Sequence, residues 1–279
     1  MYALYIRVTQ CVTKQPIKLP MAEQIITSRW KRWFEGIGDQ VAFFINFFKN
    51  IFKGGFEWSE FIRQCYEIGY RSIMLVAITS FIMGVVLIVQ LRPTLVAMGQ
   101  ASLLPRTLAI SFVREIGPVV IALICAGKIS SGIGAELGSM KVTEQLAAME
   151  VSGANAVQYL VVTRILATTV MVPLLSLLGD VIGLFGGYLA LNIKDTISYN
   201  LYFNKIIGSI DFSDFFPAMV KTIFFGFAIG FVGCYKGFHS NKGTESVGIA
   251  ANSAVVTASL WIFVIDAIAA QLTSIFFYT

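Results

Sequence analysis

Residues 111–131 read SFVREIGPVVIALICAGKISS, an apolar run that holds an arginine and a glutamate side by side, Arg114 and Glu115. Three more ionisable groups interrupt apolar runs elsewhere: Asp180 in LLGDVIG, Lys221 in PAMVKTIFFGF and Asp266 in WIFVIDAIAAQ. A charge at the centre of a bilayer costs about 2.5–3.5 kcal/mol on insertion scales, so each of these groups needs compensation. Adjacent residues on an α-helix point about 100° apart, which keeps Arg114 and Glu115 from facing each other. Opposite signs on different runs make Glu115 with Lys221 and Arg114 with Asp266 the simplest pairing. Two kinds of work fit such a set. The groups can be ion pairs that knit helices together, or they can line a polar cavity that handles a charged or amphiphilic cargo. Pro118 adds weight to the cavity, because it frees a backbone carbonyl and marks a kink where space can open.

Other chemistry is poorly supplied. With His239 as the single histidine, no Ser/His/Asp or Cys/His set can be assembled, and no carboxylate cluster resembles a metal site. Cys11, Cys65, Cys125 and Cys234 are scattered without a CxxC pair, which supports neither a disulfide framework nor a zinc site. ATP hydrolysis needs a GxxxxGK[ST] loop whose amides cradle phosphate. The only comparable dipeptide, Gly127-Lys128, is followed by Ile129 with no supporting loop. ATP-driven work therefore has to come from another subunit.

The elements that must hold these charges are membrane spans. Of 279 residues, 56% are hydrophobic and 13% charged, where a soluble domain carries about 25% charged residues. Apolar stretches at about 72–91, 107–127, 157–190, 215–235 and 253–277 meet or approach the roughly 20 residues needed to cross a hydrocarbon core. Lys and Arg collect on the cytoplasmic side. The segment before the first span and the loops alternating with it hold 15 of them, against 4 on the opposite side. This predicts a cytoplasmic N-terminus and a periplasmic C-terminus. The net charge of +5 is explained by lipid headgroups facing the basic N-terminal region rather than by nucleic acid.

Residues 1–34 read as an N-terminal cytoplasmic tail, expected to be disordered at least in part. The first twenty residues lack the continuous apolar core and cleavage site of a signal peptide, and Met21 offers a second possible start. Over 37–53, Val41, Phe44, Ile45, Phe48 and Phe52 share one helical face, with Asp39, Asn46, Lys49, Asn50 and Lys53 opposite. This pattern predicts a helix lying in the membrane interface. The third apolar stretch is too long for a perpendicular crossing and predicts a tilted or protruding helix. Gly179, Gly183 and Gly187 recur every four residues, as do Gly226 and Gly230. Such spacing lets helices pack closely, within a subunit or between subunits. Between spans two and three, residues 139–150 are rich in helix formers, with Ser139 as expected N-cap and Gly153 as stop.

The run REIGPVVIALICAGKISSGIGAELGSMKVTEQLAAMEVSGANAVQYLVVTRILA, residues 114–167, resembles the signature region of the MlaE family of bacterial ABC-transporter permeases, which move lipids between membranes. The R-E-[IL]-G-P, A-E-[IL]-G-x-M and T-E-Q-[IL] elements occur in order and with the family's spacing, and a looser likeness extends from about residue 35 to the end. The resemblance implies an all-α integral membrane protein of the inner membrane. It would have five transmembrane helices, an amphipathic interfacial helix before them and a cytoplasmic coupling helix at about 135–152, and it would form a homodimer. It further implies a cytoplasmic ABC ATPase dimer docking on that helix, at Glu136, Met140, Lys141, Glu144, Gln145 and Glu150. An MCE-domain protein, usually hexameric, would sit on the outer face, and some systems add a STAS-domain subunit. ATP and Mg would be used by the ATPase, with no cofactor bound by this chain. Arg114, Glu115, Lys221 and Asp266 match positions implicated near the lipid cavity in relatives. Two other kinds of protein remain open on the residues: a passive anchor for an MCE assembly, and an ion-coupled carrier using the buried carboxylates.

Overall fold

The computed structural model describes residues 36, 38–51, 56–153, 155–193, 196–240 and 243–277. The expected tail at 1–34, and Phe52 and Lys53 of the expected interfacial helix, lie outside them. The chain divides into two units, Met1–Phe48 and Lys49–Thr279. Residues 38–51 are helical, with Val41, Phe44, Ile45 and Phe48 exposed, as are Asp39, Asn46 and Lys49. An apolar and a polar surface thus lie on one short helix.

The second unit is a bundle of long helices, and no strand occurs among the described residues. Five helices are long and apolar enough to cross a membrane: Trp58–Ala97, Ala101–Val142, Val157–Asn192, Phe212–Phe238 and Thr244–Phe276, called spans one to five below. The helices outrun the apolar stretches because polar residues at their ends are satisfied inside the bundle. At the start of span one, Glu60 accepts from Arg63 at 2.8 and 2.7 Å, from Gln64 at 2.8 Å and from the Tyr159 hydroxyl at 3.3 Å. Span three, at 36 residues, would run about 54 Å if straight, as its long apolar stretch predicts.

Span one ends where Gly99 takes φ +70, a left-handed conformation that caps helices and suits glycine. Spans one and three pack along their length with backbones almost touching. Gly84 lies against the Gly183 carbonyl and Gly186 against that of Phe81, so a side chain at either position has no room. Gly179 meets Ile121 and Ser80, Gly183 meets Phe112, and Gly187 meets Leu108. Gly226 and Gly230 of span four lie against Thr168 and its neighbours on span three. All five glycines of the four-residue repeats thus face neighbouring helices of the same chain, where small residues substitute for hydrophobic driving force.

A short helix, Tyr199–Ile207, not anticipated from the apolar pattern, covers the end of span three. Its Tyr202 is fully buried and donates its hydroxyl to the Leu184 carbonyl at 2.9 Å. Burial pushes the Tyr202 phenol up, which keeps it a donor.

The segment between spans two and three differs from the expected single helix at 135–152. Residues Ser131–Val142 continue span two without a break, so Ser139 lies inside a helix and caps nothing. The chain then turns at Thr143 and Glu144, where Glu144 takes φ 59, and a separate helix runs Gln145–Val151 before Gly153 at φ 82. Ser139 follows residues that already bury Ile133, Gly134, Leu137 and Gly138. That buried face keeps the helix going through a residue that would otherwise favour a cap.

Candidate functional site

Arg114, Glu115, Lys221 and Asp266 meet at one place inside the spans. Span two changes from α to π geometry over Phe112–Ile116, and the Gly117 amide reaches back five residues to the Phe112 carbonyl. A π-turn holds more residues than an α-turn, so successive side chains diverge less, and such segments recur at functional sites. Here it brings Arg114 Nε to 4.0 Å from Glu115 Oε1, a juxtaposition that ideal α-helical angles argue against. Pro118 opens the following helix, where its missing N–H is tolerated.

Span four supplies Lys221, whose side chain is 5% exposed. Its ammonium donates to Glu115 Oε2 at 2.8 Å and to Asp266 Oδ1 of span five at 2.9 Å. The expected Glu115–Lys221 pair is present. The expected Arg114–Asp266 pair is replaced: Asp266 shares Lys221 with Glu115, and Arg114 Nη1 lies 3.8 Å from Asp214. A buried ammonium has three donors and no acceptor, so two carboxylates satisfy it better than one.

Asp214 is the member the sequence reading missed. It sits in the first turn of span four, where the helix dipole favours a negative charge. Asp214 and Lys221 are seven residues apart and so share one helical face.

Four of these groups, Arg114, Glu115, Asp214 and Lys221, line a recess of about 10 Å³, walled also by Pro217, Ala218, Ala269, Ala270 and Thr273. That is below the roughly 300–1,000 Å³ of a drug-sized pocket. One chain therefore offers a polar wall rather than an enclosed chamber. Glu115 remains 42% exposed although it lies within a span. Asp180 lies behind this wall: a side chain at Gly117 would run into its carboxylate, and its Oδ1 has no hydrogen-bond partner among the described residues.

At the opposite end of the bundle, Lys128 donates to the Arg71 carbonyl and Lys141 to the Phe238 carbonyl, the latter at 2.7 Å. Of the candidate docking residues, Glu136, Glu144, Gln145 and Glu150 are exposed, while Met140 and Lys141 are half-buried. Two more π segments, Ala126–Ser130 and Val157–Val162, flank this end. No group of three or more His, Cys, Asp or Glu is placed to hold a metal ion among the described residues.

The family model described as Permease MlaE matches residues 61–272, which takes in spans two to four, most of spans one and five, and every charge of the recess. The chain belongs to the MlaE permease family. A protein of Rickettsia typhi named "Probable ABC transporter permease protein" is 34% identical over 233 residues, covering 84% of this chain and 90% of its own. A Rickettsia bellii protein of the same description is 34% identical over 239 residues, covering 86% and 92%. A Synechocystis relative, again named a probable ABC transporter permease, is 30% identical over 234 residues, covering 83% and 88%. As an MlaE-family permease, the chain is the multi-pass, non-catalytic subunit of an ABC transporter, which implies an ATPase partner.

Proposed function

We propose that this permease moves phospholipid between the inner membrane and the tunnel of an MCE-domain protein, driven by ATP hydrolysis in a cytoplasmic ABC ATPase dimer. Two copies would face each other so that their polar walls enclose a shared cavity open to the periplasm. The observation that carries this reading is the half-exposed Glu115 in the middle of an apolar span, beside Arg114 and tied to Lys221 and Asp266. A carboxylate accessible at that depth is available to an entering headgroup, as one sealed in a dry helix bundle would not be. The recess of a single chain is too small for a lipid, which supports completion by a second copy.

In this account Arg114 and Glu115 form the rim for the headgroup, and Lys221 with Asp266 holds that rim in place. Apolar side chains along the spans hold the acyl chains. ATP binding would draw together the segments around 131–151 of the two copies and narrow the cavity between them. The N-terminus would be cytoplasmic and the C-terminus periplasmic. Where a STAS-domain subunit is present, it would act on the ATPase side.

Reconstitution tests the reading. The complex, extracted in mild detergent with whatever co-purifies and rebuilt into vesicles holding a fluorescent phospholipid, should transfer that lipid only with ATP. Substituting Glu115→Ala and Lys221→Ala should abolish transfer. Lipid transfer without ATP would favour a passive anchor, and transfer driven by a proton gradient would favour a carrier.

A further inference from the structure

Arg164, near the start of the α-helical part of span three, is 1% exposed. Its Nη2 donates to Glu136 Oε1 at 2.6 Å, while Nε and Nη1 have no partner among the described residues. Compensation of this buried guanidinium thus rests on one carboxylate, carried by the continuation of span two. That carboxylate's own side chain is 49% exposed. The asymmetry matters, because Glu136 can turn to water and Arg164 cannot. If the Ser131–Val142 segment shifted without span three, a cation would be stranded in apolar surroundings, the costliest way to break a buried pair.

The packing shows what such a tie would join. Spans one and three form one close-packed pair through Gly84, Gly183 and Gly186. The 131–142 segment packs on the other side of the bundle, with Gly134 against Ala254 of span five and Leu137 against Gly237 of span four. Arg164 and Glu136 cross the seam between these two groups of helices. One turn further along span three, Thr168 abuts Gly226 and Gly230 of span four, the helix that carries Lys221.

We propose that Arg164 is a positioning residue that obliges span three, with span one packed on it, to follow any displacement of the 131–142 segment, Glu136 serving as its handle. The inference rests on the transport reading above and adds a part to it: motion imposed at the cytoplasmic end reaches the polar wall through both groups of helices together. The cavity would then change shape as a unit, and ATP would not be spent on sliding span two past a stationary span three.

The test uses the reconstituted complex with its ATPase, in vesicles of phosphatidylethanolamine and phosphatidylglycerol containing a fluorescent phosphatidylglycerol. Replacing the pair by apolar residues of similar size, Glu136→Leu with Arg164→Met, removes the tie without leaving a bare charge. Because Glu136 also belongs to the expected docking surface, transfer is read per ATP hydrolysed by the complex that assembles, and that ratio should fall about tenfold. The exchanged pair, Glu136→Arg with Arg164→Glu, should recover most of that ratio, which a merely structural role does not predict. Unchanged lipid per ATP in the apolar pair would overturn the proposal. A second measurement needs no change at the pair: spin labels on exposed Ser139 and on span three should keep one separation with and without a non-hydrolysable ATP analogue. A separation that changes on nucleotide binding would overturn the proposal as well. A wild-type complex that hydrolyses ATP without moving lipid would overturn the transport reading together with this inference, whereas normal wild-type transfer with unaffected variants overturns the inference alone.

Discussion

Two ends of the same bundle handle buried charge in opposite ways. Toward one end, Lys221 is shared by Glu115 and Asp266, with Arg114 and Asp214 beside them and a recess open to solvent. Toward the other, Arg164 is 1% exposed and depends, among the described residues, on Glu136 alone. A set with several partners and access to water can lose one contact and re-form others, so it suits a surface that must admit and release a headgroup. A sealed cation with one partner has two states, made or broken, and the broken one is expensive. The comparison separates a place built to rearrange from a place built to hold.

The largest effect that could break the comparison is at the sealed end. Glu136→Ala should destabilise the detergent-solubilised protein by about 3–5 kcal/mol, because Arg164 is left alone. Arg164→Ala should cost clearly less, since Glu136 can hydrate; equal costs in thermal unfolding would show that the two partners are equally buried in practice. Next comes the open end. Lys221→Met should cost about 1–3 kcal/mol, as Glu115 and Asp266 lose a charged hydrogen-bond donor but keep access to water. It should nevertheless abolish ATP-driven lipid transfer. A stability loss as large as that of Glu136→Ala would mean the recess is drier than its exposure indicates. Smaller again, Tyr202→Phe removes one hydroxyl donated to the Leu184 carbonyl and should cost about 1 kcal/mol without altering transfer. Smallest is Glu144→Gly: a non-glycine residue at φ 59 relaxes on substitution, a gain of up to about 1 kcal/mol offset by a more flexible unfolded chain. Thermal unfolding should show little change, while any loss of ATPase binding would report the side chain itself.

The five spans and the four charges at 114, 115, 221 and 266 were legible because bilayer thickness imposes a length and hydrocarbon imposes a penalty, and both leave direct marks on composition. The small-residue repeats were legible for the same reason, since close approach in lipid needs residues without bulk. What escaped depended on three-dimensional neighbours. Arg164 counted as one more cytoplasmic basic residue, because only the fold reveals that it is covered. Asp214 lay too near the end of an apolar stretch to register as an interruption. The continuation of span two through Ser139 followed from burial of Ile133 and Leu137 on span four and of Gly134 on span five, a tertiary effect that overrides local cap preference. The partner of Asp266 could not be chosen by sign alone, since a lysine with two carboxylates in reach need not choose.

The π-turn at Phe112–Ile116 also has an evolutionary consequence. A π-turn carries one residue more than an ordinary turn for about the same rotation, so deleting one residue there would restore α geometry and leave the helix beyond it nearly in register. The contacts of Gly117 with Asp180, Ile121 with Gly179 and Glu136 with Arg164 would keep their alignment. Arg114 and Glu115 would lose the wide turn that lets them approach, so the cost of a one-residue loss would fall on the charged pair.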